Sequence, residues 1–245
     1  MYFHLKYVTL QQKQHKQEKM KIGIIVAMDK ELCQLQSVFS DAGEEILIRK
    51  CGIGKVNAAL GAQRMINEFH PDCIISSGCA GGNGDDINIQ DVVVSTQLAY
   101  HDVYCGRAID DNTVYGQVQG LPARFEADAW LLENAMVVSQ LPTINTQLTI
   151  HSGLIVTGDW FVDSKEKARE IIAHFPEAKA IDMESTAIAQ TCFLNNVPFI
   201  SFRVISDKPL CDTDASQYHD FWDTIAENSF QVTKSFVEKV KGGRK

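Results

Sequence analysis

Apolar runs and periodic stretches alternate along most of the chain. KIGIIVAM, residues 21–28, is almost continuously apolar, the pattern of a central strand covered on both faces. Helical spacing follows from Glu31 to Leu35, then a short strand from Ile46 to Arg49. Gly52-Ile53-Gly54-Lys55 reads as a turn opening a helix from about Val56 to Phe69, whose small residues permit close packing. Pro71 to Ser77 reads as a turn and strand, and Gly78-Cys79-Ala80-Gly81-Gly82 as a flexible loop after it. Asp91 to Ser95 is a further strand, running on toward Leu98. Residues 100–122 mix Gly, Asp, Asn and Pro and read as an irregular excursion.

In the second half the pattern predicts a helix over Arg124 to Val138 and a strand over Thr149 to Thr157. A helix over Ser164 to Phe175, capped by Ser164, and a strand over Ala178 to Met183 come next. Glu184 to Leu194 is a helix, Pro198 to Ile205 a strand, and Ser216 to Val240 a long helix before a fraying tail. Alternation of this kind predicts an α/β fold, a single-domain sandwich with a central twisted mixed sheet flanked by helices. Ligand sites in such folds lie beyond strand ends.

A length of 245 residues with 45% hydrophobic content suits one domain with a substantial core. The expected layout is a polar leader over 1–19, the domain over 20–241 and a tail over 242–245. A net charge of −8 argues against a nucleic-acid partner. No run is long enough to span a bilayer, so no membrane partner is expected, and the N-terminus lacks the apolar core of a signal peptide. Seven cysteines are spread singly with no CxxC pair, which disfavours a zinc site and fits buried fillers in a reducing compartment.

The candidate chemistry sits where the pattern ends its strands. Asp182-Met183-Glu184-Ser185 puts two carboxylates at the start of a buried apolar helix. They are either an N-cap with a first-turn acid or acids placed for work. Asp207 follows the strand ending Arg203-Val204-Ile205-Ser206. It is either an acid for a leaving group, oriented by Arg203, or an Asx turn before Pro209. Glu31 is either a base or a complement to a helix dipole. Trp160 and Phe161 either stack on a flat heterocycle or close over the core, and His101-Asp102 either polarises a hydroxyl or is a loop pair. The glycine segments make neither a dinucleotide fingerprint nor a phosphate-binding loop with its lysine.

KIGIIVAMDKEL (21–32), GIGKVNAALGA (52–62), SGCAGG (77–82), YHD (100–102), TGDWFV (157–162), IDMESTAIA (181–189) and VPFISFRVISD (197–207) occur in one order. Together they resemble the nucleoside phosphorylase superfamily and, within it, the bacterial 5′-methylthioadenosine/S-adenosylhomocysteine nucleosidases. The resemblance implies cleavage, by water, of the bond between adenine and a 5′-thio-substituted ribose, with no metal and no organic cofactor. It implies that Glu31 activates the water, Asp207 acts at adenine N7, and Glu184 binds the ribose hydroxyls with Met183 beside the sugar. Phe161 is implied to stack on adenine and the Val162 backbone to read its edge, with Arg203 and Ser206 supporting the acid end. Ile53, Cys79, Ala80 and Gly81 complete the implied substrate-binding set. A homodimer in the cytoplasm is implied as well.

Such a cleavage builds positive charge on the sugar and negative charge on the base, which two opposed carboxyl groups can relieve. Carboxylates after the first strand oppose a phosphate nucleophile, so hydrolysis is expected over phosphorolysis. The polar stretch Val103 to Val114, with Tyr104, Arg107, Asp110 and Asp111, keeps a futalosine-type substrate as an alternative. An inactive nucleoside-binding relative is the other.

Overall fold

The computed structural model describes residues 19–106, 112–141, 148–211 and 226–243. Most of the expected leader, the tail residues 244–245, Arg107, Asp110, Asp111 and the start of the expected last helix lie outside them. Among the described residues eight strands make one sheet: β1 (Ile22–Val26), β2 (Ile46–Lys50), β3 (Cys73–Gly82), β4 (Val92–Tyr100), β5 (Phe125–Glu126), β6 (Ile150–Thr157), β7 (Ala178–Asp182) and β8 (Phe199–Asp207). The helices are α1 (Asp29–Val38), α2 (Lys55–Phe69), α3 (Ala129–Val138), α4 (Lys165–His174), α5 (Ser185–Asn195) and α6 (Ala226–Val240).

The sheet is mixed, as the alternation predicts, and it also closes on itself. β3 pairs with β8, β8 with β4, β4 with β6, β6 with β7, and β7 returns to the end of β3. β1 and β2 extend from β3 in parallel, and β5 extends from β4. A sheet with its central strands in a closed circuit has few open edges there, and residues at the ends of β1, β3, β7 and β8 come together around one cavity.

Two apolar layers flank the sheet. Leu35 of α1, Leu131 of α3 and Phe236 of α6 pack with Ile75 and Phe202 on one side. Ala58, Ala62 and Met65 of α2 join Ile188 and Cys192 of α5 on the other, over Ile74 and Phe199. Ile171 of α4 and Phe175 cover Val156. Ser164 caps α4, its Oγ accepting from the Lys167 amide at 3.3 Å, as expected.

Two expectations are corrected. Gly78 to Gly82 is strand, the second half of β3, held by parallel pairing to β8. Its small residues answer to crowding rather than turning. A Cβ on Gly78 would come within 2.2 Å of the Arg203 Nη1 and 2.5 Å of the Glu31 Oε1, and one on Gly82 within 2.7 Å of Ile205. The helix expected over Arg124 to Val138 begins only at Ala129. Asp128 is its N-cap, accepting from the Trp130 and Leu131 amides at 3.1 Å each, and Phe125–Glu126 is the short edge strand β5.

Candidate active site

β1 runs into Ala27 and Met28 and then into α1, so Glu31 lies one turn inside that helix. Its side chain folds back toward the strand. Oε2 accepts from the amides of Ala27 (2.8 Å) and Met28 (3.0 Å), and Oε1 from the Cys79 amide of β3 (2.9 Å). Glu31 therefore serves the helix start and faces inward at once, and it is 2% exposed. Burial pushes its carboxyl above the usual range, against the pull of the Arg203 guanidinium and the three amides.

β7 ends at Asp182, and the next two residues turn into α5. Asp182 holds the frame: it pairs with the Arg203 Nε at 2.6 Å and accepts from the Ser185 amide. Glu184 sits at the N-cap position, yet its side chain makes no capping bond and turns away from the helix. Its Oε1 accepts from the Gly54 amide at 3.0 Å, and its Oε2 lies 3.9 Å from the Arg203 Nη2. Burial first, then the neighbouring carboxylates of Asp182 and Glu31, raises Glu184 to about 7, while Arg203 and the Gly54 amide oppose the rise.

Arg203 is 1% exposed. Beyond Asp182 it donates to the Ser185 Oγ (2.9 Å) and the Ser76 Oγ (2.8 Å). It thus serves the acids at the ends of β1 and β7. Asp207, at the end of β8, is oriented instead by Ser206, whose hydroxyl donates to it at 2.7 Å. Burial raises the Asp207 carboxyl above its usual range and the Ser206 hydroxyl lowers it in part, which favours a proton-bearing acid.

These groups share one cavity of about 660 Å3, part of it open to solvent, within the range of small-molecule sites. Glu31, Glu184 and Asp207 all line it, with Ile53, Cys79, Ala80, Gly81, Phe161, Val162, Met183 and Ser206. Arg203 lies behind this lining and acts through the acids. Glu31 meets β3 at Cys79, and Asp207 lies against Gly81, where a Cβ would stand 3.5 Å from its Oδ2. Two residues along a strand span roughly 6–7 Å, room for a sugar–base bond between the two acids. Phe161 and Trp160 are about half exposed at the mouth rather than packed in the core, and the Lys167 ammonium lies 4.6 Å from the Trp160 ring centre.

Sequence reasoning missed Gly54, Ala27, Met28, Ile181 and Pro209 as parts of the site. Gly54 carried a signal: it adopts φ +90°, a conformation that glycine permits and that aims its amide at Glu184. Burial holds the Cys79 thiol well above its usual range, and Glu31 adds to the effect, so Cys79 stays a neutral thiol beside the acids. Among the described residues no cluster of three or more His, Cys, Asp or Glu is placed to hold a metal ion.

Residues 21–238 match the family model described as the phosphorylase superfamily. A 5′-methylthioadenosine/S-adenosylhomocysteine nucleosidase of Staphylococcus aureus is 37% identical over 235 residues, covering 89% of this chain and 100% of the relative. One from an Exiguobacterium species is 36% identical, covering 91% and 99%. The chain belongs to this nucleosidase family. It is an N-glycosyl hydrolase of that type. The nucleosidase of Neisseria meningitidis, solved with methylthio-immucillin-A, superposes with a TM-score of 0.79 at 35% identity, covering 89% of this chain and 99% of that one. The Colwellia psychrerythraea nucleosidase, solved with adenine, gives 0.82 at 31% identity, covering 93% and 98%.

Proposed function

We propose that this nucleosidase hydrolyses the N-glycosidic bond of 5′-methylthioadenosine and S-adenosylhomocysteine, releasing adenine and a 5-thio-substituted ribose. The observation that carries the reading is the shared cavity of Glu31, Glu184 and Asp207. The base lies between Phe161 and β3, with Asp207 at N7 and the Val162 backbone at the edge. The sugar lies toward Glu184 and Met183.

As the bond lengthens, the ribose gains positive charge and the adenine negative charge. Asp207 gives its proton to N7, Glu184 holds the ribose hydroxyls as a carboxylate, and Glu31 takes a proton from the water that attacks the anomeric carbon. Glu31 and Glu184 are buried in the cavity wall, where low polarity strengthens their interactions. Water is the nucleophile because the sugar end is anionic. Glu31, Glu184 and Asp182 surround one guanidinium, already paired to Asp182, so a phosphate dianion is repelled there.

The protein is further proposed to act as a homodimer in the cytoplasm. Ile53, Val56 and Leu60 follow helical spacing beside the cavity mouth and are exposed, with Tyr104 nearby in sequence to the YHD segment. An apolar row of this kind suits a second copy of the chain. None of the seven cysteines is in a disulfide, which suits a reducing compartment. Light scattering on dilution tests the assembly: a mass of one chain at all concentrations rejects it. The activity is tested by adenine release from 5′-methylthioadenosine and S-adenosylhomocysteine; absence of release from both rejects the reading.

A further inference from the structure

The base and sugar halves of the cavity are tied by groups outside it. Lys55, the first residue of α2, places its ammonium 2.7 Å from both Asp102 oxygens and 3.8 Å from the Asp159 Oδ2. The Lys55 amide donates to the Asp159 Oδ1 at 2.7 Å, and the Asp159 amide donates to the Asp102 Oδ2 at 2.8 Å. Three segments distant in sequence close a ring of charged hydrogen bonds. One of them ends in Gly54, whose amide holds Glu184. Another leads from Asp159 directly to Trp160 and Phe161.

The backbone is cut to fit this ring. A Cβ on Gly54 would come within 2.9 Å of the Asp159 Oδ1, and one on Gly158 within 2.8 Å of the Asp102 Cγ. The Gly158 Cβ would also meet the His101 ring at 2.3 Å. That ring is 3% exposed, and neither of its nitrogens has a hydrogen-bond partner among the described residues. His101 acts as a spacer under the loop, and Asp102 does the bonding. Lys55 also lies over the Tyr100 ring, 5.5 Å from its centre, which fixes the side chain from a second direction.

We propose that Lys55, Asp102 and Asp159 form an ionic clasp that positions Phe161 over the base and Glu184 at the sugar, making Lys55 a positioning residue for the nucleosidase reaction. The proposal rests on the function assigned above. The clasp sets how much of the protein stands with its two halves at bonding distance, so it acts on substrate and transition state alike. Its groups are partly solvated, so salt weakens it.

The test compares the full chain with Lys55→Met and Lys55→Arg, using adenine release from 5′-methylthioadenosine at low and high salt. Lys55→Met is expected to raise KM about fivefold, with kcat within about twofold, an effect of the size of one partly exposed ion pair. Wild-type KM rises with salt, the Lys55→Met KM does not, and Lys55→Arg restores both behaviours. A second readout does not need the reaction: acrylamide quenching of Trp160, isolated by subtracting a Trp160→Phe variant of each protein, increases in Lys55→Met and returns in Lys55→Arg. Unchanged KM, salt response and quenching in Lys55→Met overturn the clasp, as does a fall in urea midpoint alone. A wild-type protein that releases no adenine rejects the functional reading instead, and the quenching still decides the clasp.

Discussion

The Cys79 amide donates to Glu31 at 2.9 Å, and two residues further along the same strand Gly81 leaves room for Asp207. One strand thereby sets the spacing of two acids that arrive from different parts of the chain. The proposed roles require each to exchange a proton. Glu31→Gln and Asp207→Asn are therefore expected to lose at least ~10²-fold in kcat/KM. Circular dichroism and urea melts on the same samples show whether the fold is kept; near-wild-type turnover in either folded variant contradicts its role.

Glu184 predicts a pH dependence of both rate and stability. As a ligand for ribose hydroxyls it must be ionised, and it titrates at about 7 in the free protein. Below that value kcat/KM should fall about tenfold per pH unit, and Glu184→Gln should lose this acid limb along with most activity.

For stability the sign is the reverse of the ordinary carboxylate. The unfolded chain releases this proton near about 4.3, whereas the folded chain keeps it to about 7. Between the two the native state holds more protons, so stability falls as pH rises and the loss is complete above about 7. Urea midpoints of Glu184→Gln should gain on wild type from pH 5 to pH 8. A constant difference contradicts the assignment.

Arg203 is the buried cation on which the acid cluster depends. Arg203→Met leaves Asp182 without its 2.6 Å partner and removes the charge facing Glu184. The expected loss is ~3–5 kcal/mol by urea unfolding, as for other broken buried pairs. A loss below about 1 kcal/mol, typical of exposed pairs, contradicts the placement.

Gly78 tests the packing behind the acids. Its added methyl would collide with the Arg203 Nη1 and the Glu31 Oε1, both fixed by several partners. Gly78→Ala should cost ~1–3 kcal/mol, the range for overpacked interiors, and lower kcat/KM with it. Unchanged stability and activity show that the cluster yields more readily than its bonds suggest.

The sheet and its helices were legible because apolar runs and helical spacing report burial directly. The segment from Gly78 to Gly82 misled because glycine signals turns and crowded strands alike, and only the positions of Arg203, Glu31 and Ile205 separate the two. Closure of β3, β8, β4, β6 and β7 into a circuit depends on pairings between distant strands that leave no local pattern. At the site, the acids at strand ends were visible. Their partners were not: Gly54 reaches Glu184 across 130 residues and Cys79 reaches Glu31 across 48. Arg203 stands next but three to Asp207 in sequence, yet its bonds go to Asp182, Ser185 and Ser76: four strand residues set the two roughly 13 Å apart, and a register shift between Ile205 and Asp207 breaks the alternation that would put them on one face.

The most direct test of the account is adenine release from 5′-methylthioadenosine in phosphate-free buffer and again with added inorganic phosphate. The anionic sugar end predicts equal rates, with free 5-methylthioribose as the sugar product in both. Release that requires phosphate and yields a sugar 1-phosphate would contradict it.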